Sequence, residues 1–171
     1  MADAAIQDIA EALLQAMKAE HEGHHFYSMA AKTCEDPKGR EVFTRLAVEE
    51  AEHLGFLKGQ REALLRDGKV DATLSLGAPA DLAGKSPIFS DELRGRVADA
   101  HFEMTALAVA VQLEQDAERF YREAAAKAAL PDVRSFLERL AEWESGHYRA
   151  LLAQQEELKE DYWSAAGFAP F

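Results

Sequence analysis

The chain has 171 residues, 48% of them hydrophobic, with a formal charge of −12 and a single cysteine, Cys34. That length supports one domain with a sizeable core, while the acidic balance and the lack of any clustered Lys/Arg run argue against nucleic acid and anionic membranes as partners. One thiol excludes an intrachain disulfide and any cysteine-based metal knuckle, and with neither a leader-like start nor an apolar run near ~18 residues, a soluble cytoplasmic protein is expected.

Ala, Leu, Glu, Lys, Gln and Arg dominate and β-branched residues are sparse, which predicts an all-α fold. The first helix is predicted over about 3–34, with an apolar seam at Ile6, Ala10, Leu13, Met17, Tyr27, Ala31 and Cys34 that Glu20 and His24 interrupt. Cys34 reads as a small buried apolar residue near the helix end. Glu22-x-x-His25 lies off the seam and reads as a solvated face. After the turn at Glu35-Asp36-Pro37, a second helix over 38–67 carries Phe43, Leu46, Leu57 and Leu64, with Glu50 and His53 in the intermediate seam positions. It ends near Asp67-Gly68.

Residues 68–90 hold three glycines and two prolines without a period, which predicts a long loop. At ~3.3 Å per residue it can span on the order of 75 Å, more than the ~45 Å of a 30-residue helix. A third helix over 91–128, capped by Ser90, carries Leu93, Val97, Ala100, Met104, Leu107 and Val111, then Glu114, Glu118 and Tyr121. Its His101 lies about 20 Å along the axis from Glu114 and reads as a surface histidine. Pro131 opens a fourth helix over 132–160, with Val133, Leu137, Leu140, Glu144, His147, Leu151 and Leu158 on one face. Short turns make each pair of helices an antiparallel hairpin, and the long loop lets the third run parallel to the second. The prediction is a four-helix bundle over 1–161 with a crossover at 68–90. The apolar tail 162–171, with Tyr162, Trp163, Phe168 and Phe171, is expected to pack back on the bundle or to cover a dimer face.

The two halves repeat. A shift of 94 residues without gaps lays Glu20 on Glu114, Phe26-Tyr27 on Phe120-Tyr121, Pro37 on Pro131, Arg45-Leu46-Ala47 on Arg139-Leu140-Ala141, Glu50 on Glu144 and His53 on His147. Glu49 falls on Trp143 and reads as off the seam. Each hairpin thus supplies one Glu, a Tyr two turns later and a Glu-x-x-His, and all six acidic and imidazole groups lie near their helix midpoints. Burying a carboxylate costs several kcal/mol unless it is compensated. Four carboxylates and two neutral imidazoles carry −4, and two divalent metal ions neutralise them. A Glu-x-x-His alone is a weak signal, but two in register with paired glutamates point to metal. Carboxylate and imidazole donors without thiolate suit iron or manganese.

Glu20, Glu50-x-x-His53, Glu114 and Glu144-x-x-His147, in this order around a long crossover, resemble the di-iron carboxylate site of the ferritin-like superfamily. With a tyrosine seven residues after each first Glu, the chain is most similar to the rubrerythrin family over residues 3–160. The resemblance implies Glu50 and Glu144 as bridging carboxylates, Glu20 and Glu114 as terminal ligands, and His53 and His147 as one imidazole for each metal. It also implies Tyr27 and Tyr121 as hydrogen-bond donors to ligand carboxylates. Two features depart from the family pattern. An additional carboxylate expected three residues after the first Glu of the third helix is Ala117 here, with Glu118 next to it and His24 as the repeat-mate of Glu118, both candidates for an outer or alternative ligand. The four cysteines of a rubredoxin-like module are missing, so reduction calls for a separate electron-donor protein. The resemblance implies a homodimer with two iron ions (manganese or zinc as substitutes) that reduces hydrogen peroxide or dioxygen. A ferroxidase or iron-storage role of ferritin type is the alternative.

Overall fold

The computed structural model describes residues 2–77, 82 and 87–167, with side chains from residue 6 onward. No strand occurs among the described residues. The helices are α1 (Ala2–Thr33), α2 (Pro37–Asp67), a short α3 (Asp91–Gly95), a 3-10 turn at Val97–Asp99, α4 (His101–Lys127) and α5 (Pro131–Ala165).

The hairpin turns follow from local chemistry that the repeat duplicates. Pro37 and Pro131 occupy the first turns of α2 and α5, where a helix has no use for an N–H. Arg40 donates to the carbonyl of Cys34 at 3.1 and 3.3 Å, and Arg134 donates to that of Ala128 at 3.0 Å, so the same side chain closes the end of α1 and of α4. Asp36 caps α2 by accepting from Gly39 N at 2.9 Å. It also accepts from the backbone and the hydroxyl of Ser90, which joins the first hairpin to the far end of the crossover. Gly68, at φ 70°, stops α2 in the left-handed conformation that only glycine adopts without cost.

The core divides in two. One cluster joins Ile9 and Leu13 of α1, Phe56 to Leu64 of α2, Tyr121 and Ala125 of α4, and Val133 to Leu140 of α5. The other joins Tyr27 to Cys34, Phe43 and Leu46, Ala100 to Ala110, and Leu151 and Leu158. The start of α1 therefore meets the end of α2, the end of α4 and the start of α5, which makes both hairpins antiparallel and α4 parallel to α2. Leu76 packs in the first cluster, and Leu82, Ile88 and Phe89 pack in the second, so the crossover runs the length of the bundle. Two repeat-mates, both buried, fasten it. Gln60 exchanges two hydrogen bonds with the backbone of Asp71 at 2.9 and 3.0 Å, and Gln154 accepts from Ile88 N at 2.5 Å. Crossover residues 78–81 and 83–86, with Phe168 and Phe171 of the tail, lie outside the described residues.

Two boundaries differ from the sequence reading. The third helix is broken between Gly95 and His101. Ser90 caps α3 as expected, accepting from Leu93 N at 3.2 Å, and Leu93, Val97 and Ala100 are buried. Gly95 lowers the helical propensity there, and a tighter 3-10 turn still carries these side chains into the core. The fourth helix continues to Ala165, so the tail's Tyr162 and Trp163 are helical; Tyr162 packs against the second cluster, and Trp163 is half exposed. Among the described residues, no helix is long and apolar enough to cross a membrane.

Candidate metal centre

Between the two apolar clusters lies a buried polar layer. Glu20 from α1, Glu50 and His53 from α2, Glu114 from α4, and Glu144 and His147 from α5 are each at most 6% exposed. They form two overlapping groups, Glu20, Glu50, His53 and Glu144, and Glu50, Glu114, Glu144 and His147, in each of which one donor atom per residue lies within 4.8 Å of the others. Glu50 and Glu144 belong to both. All six residues that the sequence singled out are thus brought together at the level where the helices cross.

The imidazoles face the carboxylates through Nδ1. His53 Nδ1 lies 3.2 Å from Glu20 Oε2 and 3.1 Å from Glu144 Oε1, and His147 Nδ1 lies 3.5 Å from Glu114 Oε2 and 3.4 Å from Glu144 Oε2. The two rings stack nearly parallel with centroids 6.4 Å apart. Tyr27 donates to Glu114 and Tyr121 donates to Glu20, so each tyrosine crosses to the other hairpin and orients its first glutamate.

The layer is electrostatically strained without a counter-charge. Burial, then the charges of Glu20, Glu144 and Glu114, push the Glu50 carboxyl well above its ordinary range. Burial and the charge of Glu144 push Glu114 up to about 8. Glu144 goes the other way: despite burial, the imidazoles of His147 and His53 close beside it hold it well below the usual range. Burial opposes charge on His53, but Glu144 and Glu20 outweigh it and hold the ring at about 10. Burial, with Glu114 for Tyr27 and Glu20 for Tyr121, keeps both phenols protonated and donating.

Donor atoms also go unused. Glu50 Oε1, both Glu144 oxygens and His147 Nδ1 are buried without a hydrogen-bond partner among the described residues, the close approaches of Glu144 to the two rings lacking hydrogen-bond geometry. Such orphans are rare in a folded core. They belong to the residues of the two donor groups, and a pair of divalent cations would satisfy such atoms and neutralise the carboxylates together, so the residues fit a metal pair.

The rubrerythrin family model matches residues 7–74 and 105–166. The chain belongs to the rubrerythrin family. No curated protein and no solved structure matches it. Its bundle is the ferritin-like all-α fold, with a buried carboxylate and imidazole cluster of the kind in which rubrerythrins hold metal.

A cavity of about 340 Å³ reaches this rubrerythrin cluster from the face between α1 and α4. Glu20, Glu50, Glu114, Tyr27 and Tyr121 form its inner wall, and Ala19, Gly23 and Ala117, with Glu22 and Asp116, line it further out. Gly23 permits a close approach: a Cβ there would stand 2.6 Å from Glu50 Oε2, which would have to shift. Ala117, where the family pattern has a carboxylate, leaves part of this space open.

Other sequence candidates lie elsewhere. Glu118 turns outward to Arg122 at 2.8 Å, an ordinary pair one turn apart on α4. His24 Nδ1 is 2.7 Å from the carbonyl of Ala47 and holds α1 to α2 rather than joining the cluster. His25 meets His21 on the exposed face at 3.2 Å, and His101 is exposed. Cys34 is buried, its thiol pushed up to about 11 by burial.

Glu49 is the residue the sequence reading misplaced. It is 6% exposed, and its Oε2 lies 2.9 Å from His147 Nε2. The mismatch with Trp143 counted against it, yet Trp143 is also buried, with its ring centroid 4.8 Å from that of His53. The usable signal was the shared register: each residue before the Glu of a Glu-x-x-His backs the other hairpin's histidine.

Proposed function

We propose that the chain is a di-iron oxidoreductase that reduces hydrogen peroxide or dioxygen, cycling between diferrous and diferric states with electrons from a separate donor. The observation that carries this reading is that the two donor groups overlap in Glu50 and Glu144, which suits two ions held side by side rather than one. In it, Glu50 and Glu144 would serve both ions, Glu20 and His53 would help hold one, and Glu114 and His147 would help hold the other. Two ferrous ions, when bound, supply together the two electrons that cleave the O–O bond of peroxide, which takes up two protons and leaves as two waters.

The protein's part is to hold and tune. Four carboxylates and two neutral imidazoles match the charge of the reduced pair. Tyr27 and Tyr121 fix the orientation of Glu114 and Glu20, limiting the shifts these carboxylates make as charge changes. The cavity between α1 and α4, at about 340 Å³, has room for hydrogen peroxide or dioxygen, and the apolar clusters lie on either side of the layer.

Anaerobic ferrous titration followed by peroxide or air tests this. Two irons per chain are expected, with rapid oxidation by at least one oxidant and reversal by an added reductant. Fewer than two irons, or indifference to both oxidants, overturns it. A second reading, ferroxidase activity with onward transfer of iron, is favoured by Glu22 and Asp116 lining the cavity, where they would attract cations. It predicts that ferric iron leaves the centre after oxidation, whereas the first predicts that it stays and is reduced in place.

A further inference from the structure

The 94-residue repeat makes the two halves of the cluster near copies, but not the atoms behind its histidines. On one side, Glu49 Oε2 lies 2.9 Å from His147 Nε2, both residues buried. On the other, the equivalent position is Trp143, whose ring meets His53 edge-on at 4.8 Å between centroids, and His53 Nε2 is buried without a hydrogen-bond partner among the described residues. Both rings turn Nδ1 toward the carboxylates, so Nε2 is the atom that an outer residue can address.

A carboxylate behind a ligating imidazole fixes its tautomer and ring orientation and raises the basicity of the donor nitrogen. An indole there offers no acceptor. Glu49 can thus fix a proton on Nε2 of His147 and leave the Nδ1 lone pair for a metal, while behind His53, at its Nε2, only the packing of Trp143 holds the ring. Glu49 also places one more negative charge on the His147 side, in a layer where low polarity strengthens its effect.

We propose that the two metal positions are inequivalent: the one at His147, backed by Glu49, binds tightly and fills first, and the one at His53, backed by Trp143, binds weakly and exchanges. Glu49 is a positioning residue in this scheme. The proposal rests on the reading of the cluster as a metal pair.

Anaerobic titration of the metal-free protein with cobalt(II), followed by calorimetry and by the visible absorption of the bound ion, tests it without turnover. Two resolved steps are expected in the unaltered chain. Glu49→Ala should weaken the tighter step about 10- to 100-fold, the usual cost of losing such a partner, and leave the weaker step unmoved. Glu49→Gln keeps the size and an acceptor oxygen but not the charge, and should fall between; it also serves if the alanine variant folds poorly. His53→Ala should retain the tight step, and His147→Ala should lose it. Equal affinities in the unaltered chain, or an Glu49 effect shared by both steps as general loosening would give, overturn the inequivalence while leaving the metal pair intact. Failure to bind two cobalt ions at all overturns the metal-pair reading itself.

Discussion

Alanine at position 23 sets two effects of opposite sign against each other. Glycine in the middle of a helix costs up to about 1 kcal/mol relative to alanine, and Gly23 lies in the interior of α1, a 32-residue helix. On backbone grounds alone Gly23→Ala stabilises, by roughly 2 to 4 °C in Tm for a domain of this size. The added Cβ, however, would stand 2.6 Å from Glu50 Oε2 and 3.2 Å from its Cδ, where ordinary contact begins at 3.4 Å. The obstacle is the end of a side chain, so Glu50 can retreat, by about 0.8 Å. Metal–ligand distances tolerate only about 0.2 Å, and Glu50 belongs to both donor groups. Metal-free Gly23→Ala is therefore expected to melt at or above the unaltered chain, while its affinity for both ions falls by at least about tenfold, a loss of the size seen for disturbed outer partners. Calorimetry of the metal-free forms and a paired cobalt(II) titration read the two effects separately. Unchanged affinity would refute the argument that close approach at Gly23 sets the position of Glu50, and so would a loss confined to one step.

Further outcomes follow from the same geometry. Glu50→Gln should abolish paired binding, yet the metal-free protein should be no less stable, because a buried carboxylate repelled by three others is removed; thermal melts and metal stoichiometry check this. Tyr121→Phe leaves the buried Oε1 of Glu20 without its phenol donor, only Oε2 keeping its contact with His53, and should cost about 1 to 3 kcal/mol in denaturant unfolding of the metal-free protein. In that form Glu114 is held at about 8 against an ordinary 4.5 and His53 at about 10 against 6.5, so the folded chain carries more protons than the unfolded one across this range. Stability of the metal-free protein should therefore fall as pH rises from about 4.5 through 8 and on toward 10. The metal-loaded protein should not follow it, because binding expels those protons; proton release on loading at pH 7, and affinity that rises with pH, are measurable by calorimetry in buffers of different ionisation enthalpy. Glu118→Ala, which breaks only an outward pair with Arg122, should leave metal binding unchanged.

Much of this centre was legible in the sequence because a buried charge in a helical seam contradicts the pattern around it. Glu20, Glu50, His53, Glu114, Glu144 and His147 stood out against their apolar neighbours, and the repeat separated the Glu50 and Glu144 pair from Glu22-x-x-His25, which lies on the exposed face. Long-range consequences were legible only where geometry forced them: a loop at 68–90 long enough to run the bundle, and tyrosines in register with the glutamates. The break after Gly95 was not legible, since Leu93, Val97 and Ala100 keep a helical period that the 3-10 turn also satisfies. Glu118 and His24 were placed on the seam by spacing, but side-chain direction sends one to Arg122 and the other to the Ala47 carbonyl.

The sequence by itself determined the helices, their order and the six groups at the centre, because these depend on periods of three and four residues and on the cost of burying charge. Only the tertiary structure decided what stands behind those groups. Tyr27 reaches Glu114, Tyr121 reaches Glu20 and Glu49 reaches His147, each across to the other hairpin, over separations of 87, 101 and 98 residues. Glu49 lies about 100° around α2 from Glu50, outside a single stripe. In a four-helix bundle each helix buries a flank against a second neighbour as well as its central seam, and which flank is covered depends on how the hairpins dock.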